Sequence, residues 1–112
     1  MGGHKLVLEG VEELHGAEHV MSGDRIEAAT FLVGAAMTQG DVRVDGIDPT
    51  QLTVVIETLL EMGASVDRGQ DWLRVRADAP PRPVDITTMP YPGFPTDLQA
   101  QFMAALCVAD GI

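Results

Sequence analysis

A chain of 112 residues has room for one compact domain, and at that size it can bury roughly two-thirds of the surface its unfolded form exposes. Seventeen acidic residues against seven basic ones leave a net charge of −10, which excludes nucleic acid or an anionic membrane surface as principal partner, since both need a cationic footprint. With 46% apolar but only 4% aromatic residues, the core has to be built from Leu, Val, Ile, Met and Ala.

The single cysteine excludes an internal disulfide and fits a reducing compartment. The opening MGGHKLVLEGVEEL has neither the apolar run nor the small-residue cleavage site of an export signal. The longest apolar stretch lies near Phe102–Ala109 and is too short to span a bilayer. These features predict a soluble, cytoplasmic chain with no membrane partner.

In chain order, Lys5–Glu9 (KLVLE) reads as a short strand, and His19–Met21 as another. A helix follows in SGDRIEAATFLVGAAMTQG, with Ile26, Ala29, Phe31, Leu32, Val33, Ala35 and Ala36 buried on more than one side. Asp24 and Glu27 form a capping-box pattern, and Gly40 stands where a glycine stop belongs. DVRVDG alternates with period two and predicts a strand.

The second helix is signalled by Asp48 as cap, Pro49 at the first helical position, Gln51 completing the box and Gly63 as stop. Leu52, Val55, Ile56, Leu59 and Leu60 recur at helical spacing between them. ASVDRG and DWLRVRA predict two strands joined by a tight, glycine-containing turn. APPRP is a linker, VDITT a short strand, and a third helix from about Thr96 to Ala109 follows the PYPGFP loop, with Thr96 and Gln99 as its capping box.

FLVGAAMTQG (Phe31–Gly40) and FMAALCVADG (Phe102–Gly111) share an apolar pattern at an offset of 102 − 31 = 71 residues. Two buried helices can resemble each other by composition alone, and a repeated unit gives the same pattern. The repeat reading divides the chain into a first unit at 1–79, a linker at 80–83 and the opening of a second unit at 84–112. It ends at Ile112, where the next strand is expected.

The stretch with most chemical content is PYPGFPTDLQAQF, Pro90–Phe102. Three prolines and a glycine stiffen a loop that runs into a helix. Asp97 falls in the first helical turn, where the helix dipole favours its ionised form. A carboxylate held this way suits a general base within reach of a substrate hydroxyl. The residues alone leave the other reading open, in which Asp97 is only a favourable first-turn acid.

PYPGFPTDLQAQF resembles the signature loop of the UDP-N-acetylglucosamine enolpyruvyl transferases. GVEELHGAEHVMSGDRIEAATFLVGAAMTQGDV and LLEMGASVDRGQDWLRV are similar to further segments of that family, in the same order. The resemblance runs from Gly10 to the end of the chain. It implies an α/β (α+β) fold: one βαβαββ unit of an inside-out α/β barrel, plus the start of the next.

It also implies transfer of enolpyruvyl from phosphoenolpyruvate to the 3′-hydroxyl of UDP-N-acetylglucosamine, a step of peptidoglycan synthesis that serves cell-wall formation, cell shape and division. It implies Asp97 as general base at the sugar, Thr96 in the lining of the sugar pocket, no cofactor and no metal. The family's reactive cysteine, its phosphoenolpyruvate lysine and its phosphate-gripping arginines belong to segments outside these residues, so the chain reads as an inactive fragment whose partner is the rest of the transferase. Two alternatives stay open: a fragment of the related enolpyruvylshikimate phosphate synthase, and a non-catalytic module that binds a nucleotide sugar or a partner chain.

Other residues invite chemistry without the context for it. Cys107 lies in an apolar helical run with no neighbouring cation, which predicts a buried packing residue. His15 and His19 are four apart, but Gly16 and a strand-like context break metal geometry. Arg74 and Arg76 share a strand face with Trp72, giving either a small anion patch or a solvated outer face.

Overall fold

The computed structural model describes residues 5–112. Its first regular element, α1 (Arg25–Met37), starts where Asp24 leaves the extended conformation and its Oδ1 accepts from the backbone N–H groups of Ile26 (2.8 Å) and Glu27 (3.3 Å). That cap satisfies two of the four donors a helix start leaves bare. The buried face is Ala28, Ala29, Leu32, Val33, Ala35 and Ala36, and its small residues let other elements approach closely.

The helix ends in a six-to-one cap, with Gly40 N–H donating to Ala35 O at 2.8 Å. The left-handed position of that cap is occupied by Gln39 (φ 54°), one residue ahead of the expected Gly40. Gly63 does fill this position at the end of the second helix, α2 (Thr53–Glu61), with φ 97°, while Ala64 N–H bonds to Leu59 O at 3.0 Å. A 3₁₀ turn, Pro49–Leu52, leads into α2. Asp48 caps that turn through Thr50 N–H (2.9 Å) and Thr50 Oγ1–H (2.7 Å), and Gln51 enters only through its backbone N–H to Asp48 O.

Three strands, β1 (Asp41–Asp45), β2 (Ser65–Arg68) and β3 (Trp72–Arg76), form one antiparallel sheet in the order β1-β3-β2. Val42 faces Val75 and Val44 faces Leu73 across one ladder, and Val66 faces Val75 across the other. Period-two alternation therefore puts all five on the face covered by the helices, where Leu73 and Val75 are fully buried. The turn from β2 to β3 needs Gly69, because a Cβ there would lie 2.0 Å from Trp72 Nε1.

Chain order from Arg25 is thus α-β-α-β-β, and the leading strand of the expected βαβαββ unit is missing from it. Lys5–Glu9 and His19–Met21 form no ladder, with Leu6 at 84% and Leu8 at 85% exposure. β-branched and other apolar residues favour extended backbone, but a strand exists only through hydrogen bonds to a neighbour, and no described segment pairs with these. The same holds for VDITT, where Val84 and Ile86 are half-buried and the single bridge is Thr88 to Phe94.

The linker brings the chain back to α2, with Arg82 N–H donating to Met62 O at 2.8 Å. Beyond it, a 3₁₀ turn (Thr96–Leu98) runs into α3 (Gln99–Leu106), which packs on α1. The expected Thr96–Gln99 capping box does not form: Pro95 holds the cap position of the turn and Leu98 that of the helix, neither with a side-chain bond. α3 stops at Leu106, short of Ala109. Cys107 is exposed, where burial was expected, because it sits just past the last helical turn and off the face that meets α1.

Candidate active site

The Pro90–Phe102 segment is pinned at its base by buried side chains and tied down again at its tip. Phe94, Leu98 and Phe102 are buried, and the rings of Phe94 and Phe102 meet edge to face at 4.9 Å. Met89 N–H donates to Phe94 O (2.9 Å) and Gly93 N–H to Pro90 O (2.8 Å), closing residues 89–94 into a turn that includes a cis Tyr91–Pro92 bond. Gly93 has no room for a side chain, since a Cβ would come within 2.7 Å of Met89 Cβ. At the tip, the Arg25 guanidinium lies 5.2 Å from the Tyr91 ring centroid and ties the loop to the start of α1.

Asp97 sits between the buried side chains of Phe94 and Leu98, in the 3₁₀ turn ahead of α3, and is exposed. Among the described residues no hydrogen-bond partner engages its carboxylate. The position therefore has a fixed backbone and a free acceptor, which is what a proton-taking group requires. Thr96, its neighbour, is likewise exposed.

Neither residue lines the best-formed concavities of the described chain. One open concavity, about 1060 Å³, is bounded by Asp48, Pro49, Thr50, Arg68, Gly69, Gln70 and Asp71 beside the β2–β3 turn. A smaller one beside α3, about 220 Å³, is lined by Ile86, Thr88, Gln99, Phe102, Met103 and Leu106. The carboxylate faces open solvent, so any substrate pocket around it would need walls from other polypeptide.

The outer face of the sheet carries paired charges. Arg74 meets Asp41 at 2.5 Å, Arg76 meets Asp67 at 3.0 Å, and Arg43 meets Asp45 at 2.6 Å while lying over the Trp72 ring at 4.3 Å. A solvated ion-pair face is the arrangement found, and these three guanidinium groups are already engaged by carboxylates. Asp41 is held below the usual carboxylate range by its hydrogen bond to Arg74. His15 bonds Gly16 O at 2.9 Å, and both it and His19 are exposed. No described helix is long and apolar enough to cross a membrane. The Arg25–Tyr91 contact had no signal in the sequence, because the two residues lie far apart in the chain.

The family model described as EPSP synthase (3-phosphoshikimate 1-carboxyvinyltransferase) matches residues 2–112. The chain belongs to the EPSP synthase family. Within it, the chain is 48% identical over 111 residues to a UDP-N-acetylglucosamine 1-carboxyvinyltransferase of Psychrobacter sp. (strain PRwf-1), covering 99% of this chain and 26% of that protein. It is 49% identical over 106 residues to a protein of the same description from Psychrobacter arcticus, covering 95% of this chain and 25% of that protein. The chain thus spans about a quarter of the length of these curated relatives of the EPSP synthase family.

Proposed function

We propose that these residues are part of an enolpyruvyl transferase acting on UDP-N-acetylglucosamine in peptidoglycan synthesis, with Asp97 as the general base. The observation that carries the reading is a carboxylate with no partner among the described residues, anchored by buried side chains on a proline-stiffened loop. The relatives' names supply the acceptor class, and the wording of the loop favours the amino sugar over a shikimate phosphate. In this account Asp97 takes the proton of the 3′-hydroxyl as its oxygen bonds to the phosphate-bearing carbon of phosphoenolpyruvate. The double-bond electrons take up a proton at the methylene carbon as that bond forms. Loss of a proton from the resulting methyl then restores the double bond as the bond from the central carbon to the phosphate oxygen breaks, and inorganic phosphate leaves. Thr96 lines the sugar side of the pocket.

Both substrates are multiply anionic and call for cations. Arg43, Arg74 and Arg76 are paired to aspartates, and in this account the cations that grip phosphate are supplied mainly by polypeptide beyond these residues. The repeat reading places residues 1–79 in one unit and 84–112 in the opening of another, with the remainder of the transferase as partner. The test is an acceptor comparison on the full polypeptide the gene encodes, supplied with phosphoenolpyruvate. Phosphate release with UDP-N-acetylglucosamine and none with 3-phosphoshikimate is expected. The reverse preference refutes the amino-sugar assignment.

A further inference from the structure

The segment that carries Asp97 is tied to one helix on both sides of that residue. On the loop side, the Arg25 guanidinium lies 5.2 Å from the centroid of the Tyr91 ring. On the helix side, Gln101 Nε2 donates to Thr30 Oγ1 at 3.1 Å, and Thr30 Oγ1 donates in turn to Ile26 O at 2.8 Å. Both anchors stand on α1, about 7.5 Å apart for five residues of helical rise. The second tie lies where α1 and α3 already pack, whereas the first is a single contact at the tip of the loop.

The stability of its own helix does not account for Arg25. It is the first residue of α1, where a positive charge opposes the helix dipole. It makes no ion pair among the described residues, although Asp24 and Glu27 adjoin it and the chain carries seventeen acidic residues. What it meets is Tyr91, and Tyr91 projects from a turn closed by Met89 N–H to Phe94 O and Gly93 N–H to Pro90 O. Those two bonds leave the ring little freedom relative to Phe94, which is 3% exposed and stands just ahead of Thr96 and Asp97. A displacement of the ring is therefore passed toward the carboxylate.

We propose that Arg25 is a positioning residue: by holding the Tyr91 ring it sets where the Asp97 carboxylate stands relative to the acceptor hydroxyl. The proposal rests on the reading of Asp97 as general base. No group among the described residues holds that carboxylate directly, so its place is set by its backbone. A misplacement of about 1 Å at a reacting group can cost on the order of 10²-fold in rate. A cation over an exposed ring favours the held loop by about two- to fivefold. Losing the tie lowers the fraction of enzyme whose base is in place and leaves the other substrate contacts as they were. The loss therefore falls on kcat and spares KM.

Steady-state kinetics of the full polypeptide with phosphoenolpyruvate and UDP-N-acetylglucosamine test this. Arg25→Leu and Tyr91→Leu are each expected to lower kcat by about two- to fivefold with KM for the sugar nucleotide unchanged. The double variant is expected to be no slower than either single one, and Tyr91→Phe, which keeps the ring, to match the parent. Because Tyr91 is 59% exposed, its variants probe the same tie even if Arg25→Leu does not fold. A double variant slowed by the product of the two single effects overturns the proposal, and so does a Tyr91→Phe as slow as Tyr91→Leu. Asp97→Asn separates the proposal from the reading beneath it. Parental turnover in Asp97→Asn overturns both, whereas a slow Asp97→Asn beside Arg25→Leu and Tyr91→Leu at parental kcat overturns the positioning role alone.

Discussion

Asp41 and Arg74 face each other diagonally across β1 and β3, and the guanidinium donates to both carboxylate oxygens. Its hydrogen bond, followed by its positive charge, keeps the Asp41 carboxyl below the ordinary aspartate value. A carboxylate whose pKa is lower folded than unfolded adds stability that is fully present above its unfolded pKa, near 3.8, and lost as pH falls through the folded one. Thr50 acts on Asp48 in the same direction, chiefly through its hydroxyl and then through its backbone N–H. Arg74→Leu is therefore expected to flatten the pH dependence of the melting midpoint below about pH 4 and to leave the dependence at neutral pH nearly unchanged. An undiminished acid slope would show that the pair carries no linkage. Because both side chains are exposed, the effect should also shrink at high salt.

At the scale of elements, the two helix ends offer an internal comparison. α1 and α2 close with the same six-to-one hydrogen bond, but the left-handed residue is Gln39 in one and Gly63 in the other. A side chain at positive φ costs about 1 kcal/mol relative to glycine. Gln39→Gly is expected to raise stability by about that amount, read as a melting midpoint several degrees higher, and Gly63→Ala to lower it by a similar amount. A Gln39→Gly variant no more stable than the parent would contradict the strain assigned to that cap.

Elements fixed by local chemistry were legible in the sequence. Asp24 and Asp48 as caps, Gly63 as stop, the alternation of DVRVD and WLRVR, and the glycine turn between the last two strands all appear where residue types require them. What failed depended on a partner that composition does not reveal. KLVLE and VDITT have strand-like composition but find no ladder, and Cys107 looks buried in sequence because its apolar neighbours cannot say where the helix stops. The position of Gln39 was missed for a different reason. A glycine one residue later drew the stop toward itself, yet the hydrogen bond to Ala35 needs Gly40 as donor rather than as the left-handed residue. Near Asp97, the stiff Pro90–Pro95 loop was legible through its composition, while the Arg25–Tyr91 tie and the Gln101–Thr30 bond required the fold.

For the whole molecule, charge and coverage point the same way. A chain of net charge −10, with three of its guanidinium groups in ion pairs, is poorly equipped to hold a nucleotide sugar together with a phosphorylated enol acid. Isothermal titration of the isolated 112 residues with UDP-N-acetylglucosamine should accordingly show weak or undetectable binding. A micromolar constant would mean that the described surface recognises the sugar nucleotide unaided. The central claim concerns one exposed carboxylate whose backbone is held by Phe94, Leu98 and Phe102. It is tested most directly by steady-state turnover of the full polypeptide carrying Asp97→Asn, an isosteric change that removes the basic oxygen and leaves the buried anchors in place. A fall in kcat of roughly 10²–10⁴ with an unaltered melting midpoint is the expected result, and turnover equal to that of the parent would contradict the account.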